Sequence, residues 1–182
     1  MSSARERKTI EVGALMTTSG NISSELLFNS PLEVGLRTLI ILAEVNDWCD
    51  VQRLTIYDYF LLHSSDINEG PESLHPPSPF RSGELAVKRE VVQKGLHLMM
   101  SKGLIESTFD EYGIRFRAKE VAHPFLNYFE SPYAKRALDI AAWIDAKFQQ
   151  MSDGELQSMV SDKIGRWGSE FIGETLVEEE CQ

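Results

Sequence analysis

The spacing of apolar residues switches from helical to alternating at Gly103, and this switch limits the fold more than any other feature of the chain. Up to Lys102 the apolar positions recur every three to four residues. Beyond Gly103, Leu104-Ile105-Glu106-Ser107-Thr108 and Ile114-Arg115-Phe116-Arg117-Ala118 alternate, and Asp110-Glu111-Tyr112-Gly113 between them is turn chemistry. A helix stopped by a glycine therefore runs straight into a β-hairpin.

Two helices precede it. The first has Ser30 as N-cap, Pro31 at the first helical position and Glu33 three residues after the cap, a capping-box pattern. Leu32, Leu36, Leu39, Ile40 and Ala43 give it one buried side, and it ends near Asn46. The second is capped by Asp50 and carries Val51, Leu54, Asp58, Leu61 and Leu62 as its stripe. The third is expected from Glu84 to Lys102, with Leu85, Val91, Val92, Leu96, Met99 and Met100. Three helices followed by a hairpin describe a winged-helix-like domain, placed at residues 28–130.

The chain beyond it returns to helical spacing. Glu120 to Phe129 is expected to pack back on the wing, and Ser131-Pro132 starts a helix through Gln150 that buries Leu138, Ala141, Ile144 and Phe148. Ser152 and Glu155 form another capping box, opening a helix with Leu156, Met159, Val160, Ile164 and Trp167. The fold class is thus mainly α with a small β-hairpin, with residues 131–172 as a C-terminal helical extension. Residues 1–27 read as a flexible arm with one apolar island, Ile10 to Met16, and residues 173–182 as an acidic tail.

Between the second and third helices, residues 64–83 read as one long ordered loop. Helix–helix connections usually run about two to eight residues. Here Pro71, Pro76, Pro77 and Pro79 fix φ and hold their neighbours extended, while Leu74, Phe80 and Leu85 offer apolar surface to bury. Such a segment docks. Its length also departs from the tight turn of a DNA-reading helix-turn-helix.

Charge narrows the function classes. The net charge is −10, against the many Lys and Arg that non-specific phosphate binding requires. Residues 1–80 hold five basic and eleven acidic side chains, residues 120–182 five and twelve, and residues 81–119 eight and five. A single local positive face on an acidic body follows. Lys88, Arg89 and Lys94 on the third helix, with Arg115, Arg117 and Lys119 beyond the turn, form the set that would meet phosphates if the domain were a stand-alone winged-helix transcriptional regulator. Arg115 and Arg117 flank Phe116 and so lie on the outer face of the strand, where such pairs are usually solvated.

Catalytic patterns are scarce. There is no Walker-type glycine loop, His-Glu-x-x-His, Gly-x-Ser-x-Gly or Cys-x-x-Cys, and the chain reads as non-enzymatic with no cofactor. Asp58 on its apolar stripe is read as a buried carboxylate satisfied by a neighbouring Arg, Tyr or loop amide. His63, Asp66 and His75 do not supply the ligand number a metal needs, and no metal is expected. Cys49 and Cys181 lie too far apart in sequence to suggest a disulfide framework, and no apolar run reaches the roughly eighteen residues of a membrane span. The expected location is the cytoplasm.

Several segments carry a family resemblance: Phe28-Asn29-Ser30-Pro31-Leu32-Glu33-Val34-Gly35-Leu36-Arg37, Gln52-Arg53-Leu54 with Asp58-Tyr59, and the Gly70–Leu85 segment. Lys102-Gly103-Leu104-Ile105-Glu106, Tyr112-Gly113-Ile114-Arg115-Phe116 and Gly165-Arg166-Trp167-Gly168 complete it. Over residues 26–172 the chain resembles the middle component of ABC-three-component systems, a family that includes the small third subunit of Lamassu-type anti-phage defence complexes. The resemblance implies an accessory subunit that joins an SMC-like, DNA-sensing ATPase to an effector, often a nuclease. Any DNA contact would be auxiliary, within the complex. Because interfaces favour aromatic and Arg anchors, the partner contact is expected at Tyr57, Tyr59, Glu72, His75, Pro76, Pro79, Phe80 and Arg81.

Overall fold

The computed structural model describes residues 30–68, 70–76 and 81–163, with the backbone alone over 81–86. Helix α1 (Pro31–Val45) leads into a short strand β1 (Cys49–Asp50), helix α2 (Val51–Leu62) and a 3-10 turn (Ser64–Asp66). Helix α3 (Arg81–Ser101) precedes strands β2 (Ile105–Asp110) and β3 (Gly113–Ala118), then helices α4 (Ala122–Leu126) and α5 (Pro132–Phe148). A last helix, α6, covers 153–163. The molecule is mainly helical with a small three-stranded antiparallel sheet in the order β1-β3-β2.

Local chemistry sets the helix ends. Ser30 Oγ accepts the Glu33 N–H at 3.3 Å, and α1 closes at Asn46 in the left-handed region, whose N–H returns to the Leu42 carbonyl. Asp50 accepts the Arg53 N–H at 2.7 Å to start α2. At α6 the capping box is reciprocal: Glu155 accepts the Ser152 N–H at 2.8 Å and Ser152 Oγ accepts the Glu155 N–H at 3.3 Å.

Strand β1 was not expected. Two residues are too few to display alternation, and the strand exists because Cys49 pairs with Phe116 and Asp50 with Arg115 across the sheet. Helix α3 starts at Arg81, ahead of the expected Glu84, and runs through Gly83. One internal glycine costs a helix only about 1 kcal/mol, and the helix is not interrupted there.

Helix α1 lies at the centre, against α2, α3 and α5. It meets α3 backbone to backbone: a Cβ on Gly95 would sit 2.7 Å from the Gly35 nitrogen, and one on Gly35 would sit 2.9 Å from the Gly95 carbonyl oxygen. Helix α2 is buried on every side from Leu54 to Leu62. The C-terminal helices share this core. Phe148 of α5 stacks on Phe60 at 5.7 Å, and Leu156 and Val160 of α6 belong to the same apolar cluster. The expected Ile164 and Trp167 positions fall outside the described residues.

Candidate functional site

Three places hold the residues singled out by sequence: a buried ion cluster, the segment after α2, and the wing. At the first, Asp58 of α2 is 0 % exposed and meets Arg37 of α1 and Lys88 of α3. Arg37 Nε donates to Oδ1 at 2.6 Å and Lys88 Nζ donates to Oδ2 at 2.9 Å. Glu33 adds a contact to Arg37 at 3.2 Å. Burial alone would push the Asp58 carboxyl up, but the charges and hydrogen bonds of Lys88 and Arg37 outweigh it and hold the group well below the usual carboxylate range. An ionised carboxylate with both oxygens engaged clasps three helices together. The expected Arg partner is there, whereas Lys88 differs from its sequence reading. It is buried, 6 % exposed, with its ammonium on Asp58 and not on a phosphate-facing surface.

At the second place, the two tyrosines read as surface anchors face the core. Tyr57 and Tyr59 are each 1 % exposed because α2 is enclosed by its neighbours. The Tyr57 hydroxyl accepts from Arg53 at 2.9 Å, and the Tyr59 hydroxyl donates to Asp66 at 2.6 Å. The following segment folds back on the body. Ser65 and Ser73 exchange hydrogen bonds, the Ser65 N–H to Ser73 Oγ at 3.0 Å and the Ser73 N–H to Ser65 Oγ at 3.1 Å. A Cβ at Gly70 would run into the Ser64 carbonyl, so this turn requires glycine. Arg136 of α5 donates to the Glu72 carbonyl at 3.2 Å and to its carboxylate at 3.3 Å. Glu72 and Pro76 remain exposed.

His75 ties the segment to α2 by donating its N–H to the Leu62 carbonyl at 3.0 Å, and its ring sits between His63 and Tyr133. Burial first, then the charges of Arg37 and His63, push its imidazole below the ordinary value. Asp66 turns to Tyr59, and among the described residues no three His, Cys, Asp or Glu side chains are grouped to hold a metal ion. Burial pushes the Cys49 thiol up to about 12, which makes it inert at neutral pH. Pro79 and Phe80 lie outside the described residues. Arg81 opens α3, with its side chain outside them.

At the third place, the basic residues meet partners of this same chain. Arg115 pairs with Asp110, and Arg117 donates to Glu106 at 2.7 Å while its guanidinium lies 4.7 Å from the Trp48 ring centroid. On α3, Lys94 pairs with Glu90 at 2.7 Å, and Arg89 donates to Gln52 at 2.8 Å. Lys119 is exposed beside a cleft lined by Asn46, Glu106, Arg117 and His123. The positive face expected from the charge count is thus largely matched by neighbouring carboxylates.

Sequence reading missed Phe109, Tyr112 and Ile114, which stand exposed at the wing tip. Their signal was present, since Phe109 and Ile114 continue the inner-face alternation; what was hidden is that the strands outreach the core beneath them.

The elements above define a mainly helical module with a small three-stranded antiparallel sheet, whose buried charges clasp its own helices. A family model described as "ABC-three component (ABC-3C) system Middle Component 2" matches residues 27–170, and the chain belongs to that family. Searches of curated proteins and of solved structures give no match. As the middle component of a multi-component system, the protein works with partner proteins, and the family points to an accessory role in a defence system. None of the described helices is long and apolar enough to cross a membrane.

Proposed function

We propose that this protein is a non-catalytic, cytoplasmic bridging subunit of a Lamassu-like anti-phage complex, joining an SMC-like DNA-sensing ATPase to a nuclease-type effector. The observation that carries the reading is the family match over residues 27–170, on a chain whose net charge is −10. The wing supports protein partners over DNA. Arg115, Arg117 and Lys94 each face a carboxylate, so a phosphate would have to compete with an existing ion pair at three of the six candidate contacts. Lys88, a fourth, is enclosed. A subunit gripping DNA by itself needs a stronger basic footprint. Asp58, a buried carboxylate on the apolar stripe of α2, serves packing, which supports the non-catalytic reading.

A tagged pull-down from the native host, at moderate salt with nuclease treatment, tests this. Recovery of an ATPase and an effector is the expected result. Recovery of neither, with DNA retained when nuclease is omitted, would favour the stand-alone regulator. Replacing Phe80 and Arg81 by Ala asks whether the loop contributes to the same assembly.

A further inference from the structure

Residues 70–76 lie across the end of the helical body as a strap, and the bonds that hold it are mostly in solvent. Ser65 and Ser73 exchange two hydrogen bonds at exposed positions, and Arg136 reaches the Glu72 carbonyl and carboxylate and the Ser73 carbonyl, also exposed. Nearer the core, the His75 N–H donates to the Leu62 carbonyl at the end of α2, and Leu74 packs against the apolar cluster. Hydrogen bonds and ion pairs in water contribute little each, so a segment tied this way can open while the core stays folded.

Of the strap's two titratable side chains, Glu72 is exposed and His75 faces the body. The His75 ring lies 6.4 Å from that of His63, which is 4 % exposed, and 6.3 Å from that of Tyr133. Behind these rings stands the buried ion cluster. Arg37, Lys88 and Asp58 all act on His75 through their charges, and Arg37 also hydrogen-bonds the Tyr133 hydroxyl.

A proton on His75 would therefore meet charged groups from each neighbouring element. Helix α1 brings Arg37 and Glu33, α2 brings Asp58 with His63 at its end, the 3-10 turn brings Asp66, α3 brings Lys88, and α5 brings Tyr133 and Arg136. The carboxylates among them already serve other groups. Asp58 is engaged by Arg37 and Lys88, Glu33 by Arg37, Asp66 by Tyr59, and Glu72 by Arg136. An imidazolium in the closed strap would join two buried cations. Burial first, then the charges of Arg37, His63 and Lys88, accordingly push the His75 imidazole below its ordinary value.

We propose that residues 70–76 are an acid-released strap, closed while His75 is neutral and opened when His75 takes up a proton. Opening breaks the bond from the His75 N–H to Leu62, withdraws Leu74 from the apolar cluster and uncovers His63 and Tyr133 where α2 and α5 meet. This device needs no partner, so it stands or falls apart from the bridging reading. In the open strap His75 has an ordinary value of about 6.5, whereas the closed strap resists the proton. Opening is thus insensitive to pH above that value and grows as pH falls through it. One proton held only by the open state raises opening by up to about tenfold between pH 7.5 and pH 5.5.

The test is amide hydrogen exchange of the full chain at those two pH values, corrected for the intrinsic pH dependence of exchange, together with an NMR titration of the His75 imidazole. The Ser73 and His75 amides are expected to be protected at pH 7.5, yet at least about a hundredfold less than Leu42 and Leu61 in the core, which marks the opening as local. Their protection is expected to fall about three- to tenfold at pH 5.5, and the imidazole to titrate below about 6.5. In His75→Gln, which keeps the backbone N–H, that fall should vanish. Strap amides unprotected at pH 7.5, or as protected as the core, overturn the proposal. So does protection that acid leaves unchanged, or a fall that persists in His75→Gln. The wild-type titration decides even where the variant does not stay closed: a midpoint at or above about 6.5 overturns the proposal.

Discussion

Helix α2 and the wing use the same residue types to opposite ends. Tyr57, Tyr59 and Asp58 on α2 face inward, the rings packed and the carboxylate paired with Arg37 and Lys88. On the wing, Phe109 and Tyr112 face solvent, and Asp110 and Glu106 pair with arginines at the surface. Burial decides the consequence. An ion pair enclosed by three helices fixes how they meet, whereas a pair in water is screened and worth little. An aromatic ring in the core stabilises the fold, and one at a strand tip is available to a partner.

The largest expected effect is at Asp58. Asp58→Ala leaves Arg37 and Lys88 buried without their carboxylate, and chemical denaturation should register a loss of about 3–5 kcal/mol. Glu106→Ala on the wing should lose less than about 1 kcal/mol by the same method. Equal losses at the two sites would break the comparison.

Next comes the crossing of α1 and α3. Gly95→Val puts a side chain into the Gly35 backbone, and helix separation should lower stability by about 1–3 kcal/mol in denaturant titration. Gly113→Ala at the wing turn meets no atom but loses a positive φ, so a smaller cost, about 1 kcal/mol, is expected.

Acid sharpens the contrast further. The Asp58 carboxyl is depressed in the folded state, so its contribution is complete above the unfolded value of about 3.9 and is lost as pH falls below it. Between pH 5 and pH 3 the denaturation midpoint should fall more steeply in wild type than in Asp58→Asn. His75 is depressed too, and the folded state is penalised as pH drops below the unfolded value of about 6.5. His75→Gln should flatten that shallower slope between pH 7 and pH 5.

What could be read from the sequence was local. Ser30, Asp50 and Ser152 announce helix starts through hydrogen bonds to residues three positions on, and the hairpin declares itself by alternation around its turn. What could not be read depends on distant segments meeting. The two residues of β1 acquire meaning only beside Phe116, and Gly35 matters only because Gly95 crosses it. Lys88 is intermediate. It falls in step with Leu85, Val92, Leu96 and Met99, as Asp58 falls in step with Leu54 and Leu61, and two opposite charges on apolar stripes are a signal for pairing. Tyr57 and Tyr59 were expected at a partner contact because interfaces favour aromatic anchors, whereas the helix that carries them is enclosed all round.

The most direct test reverses the wing cations. The double change Arg115→Glu with Arg117→Glu is co-expressed with the two companion components of the system, and the amount of complex recovered is compared with wild type. Near-full recovery with the double change is the predicted result. Loss of complex and of salt-sensitive DNA binding on charge reversal would contradict the account.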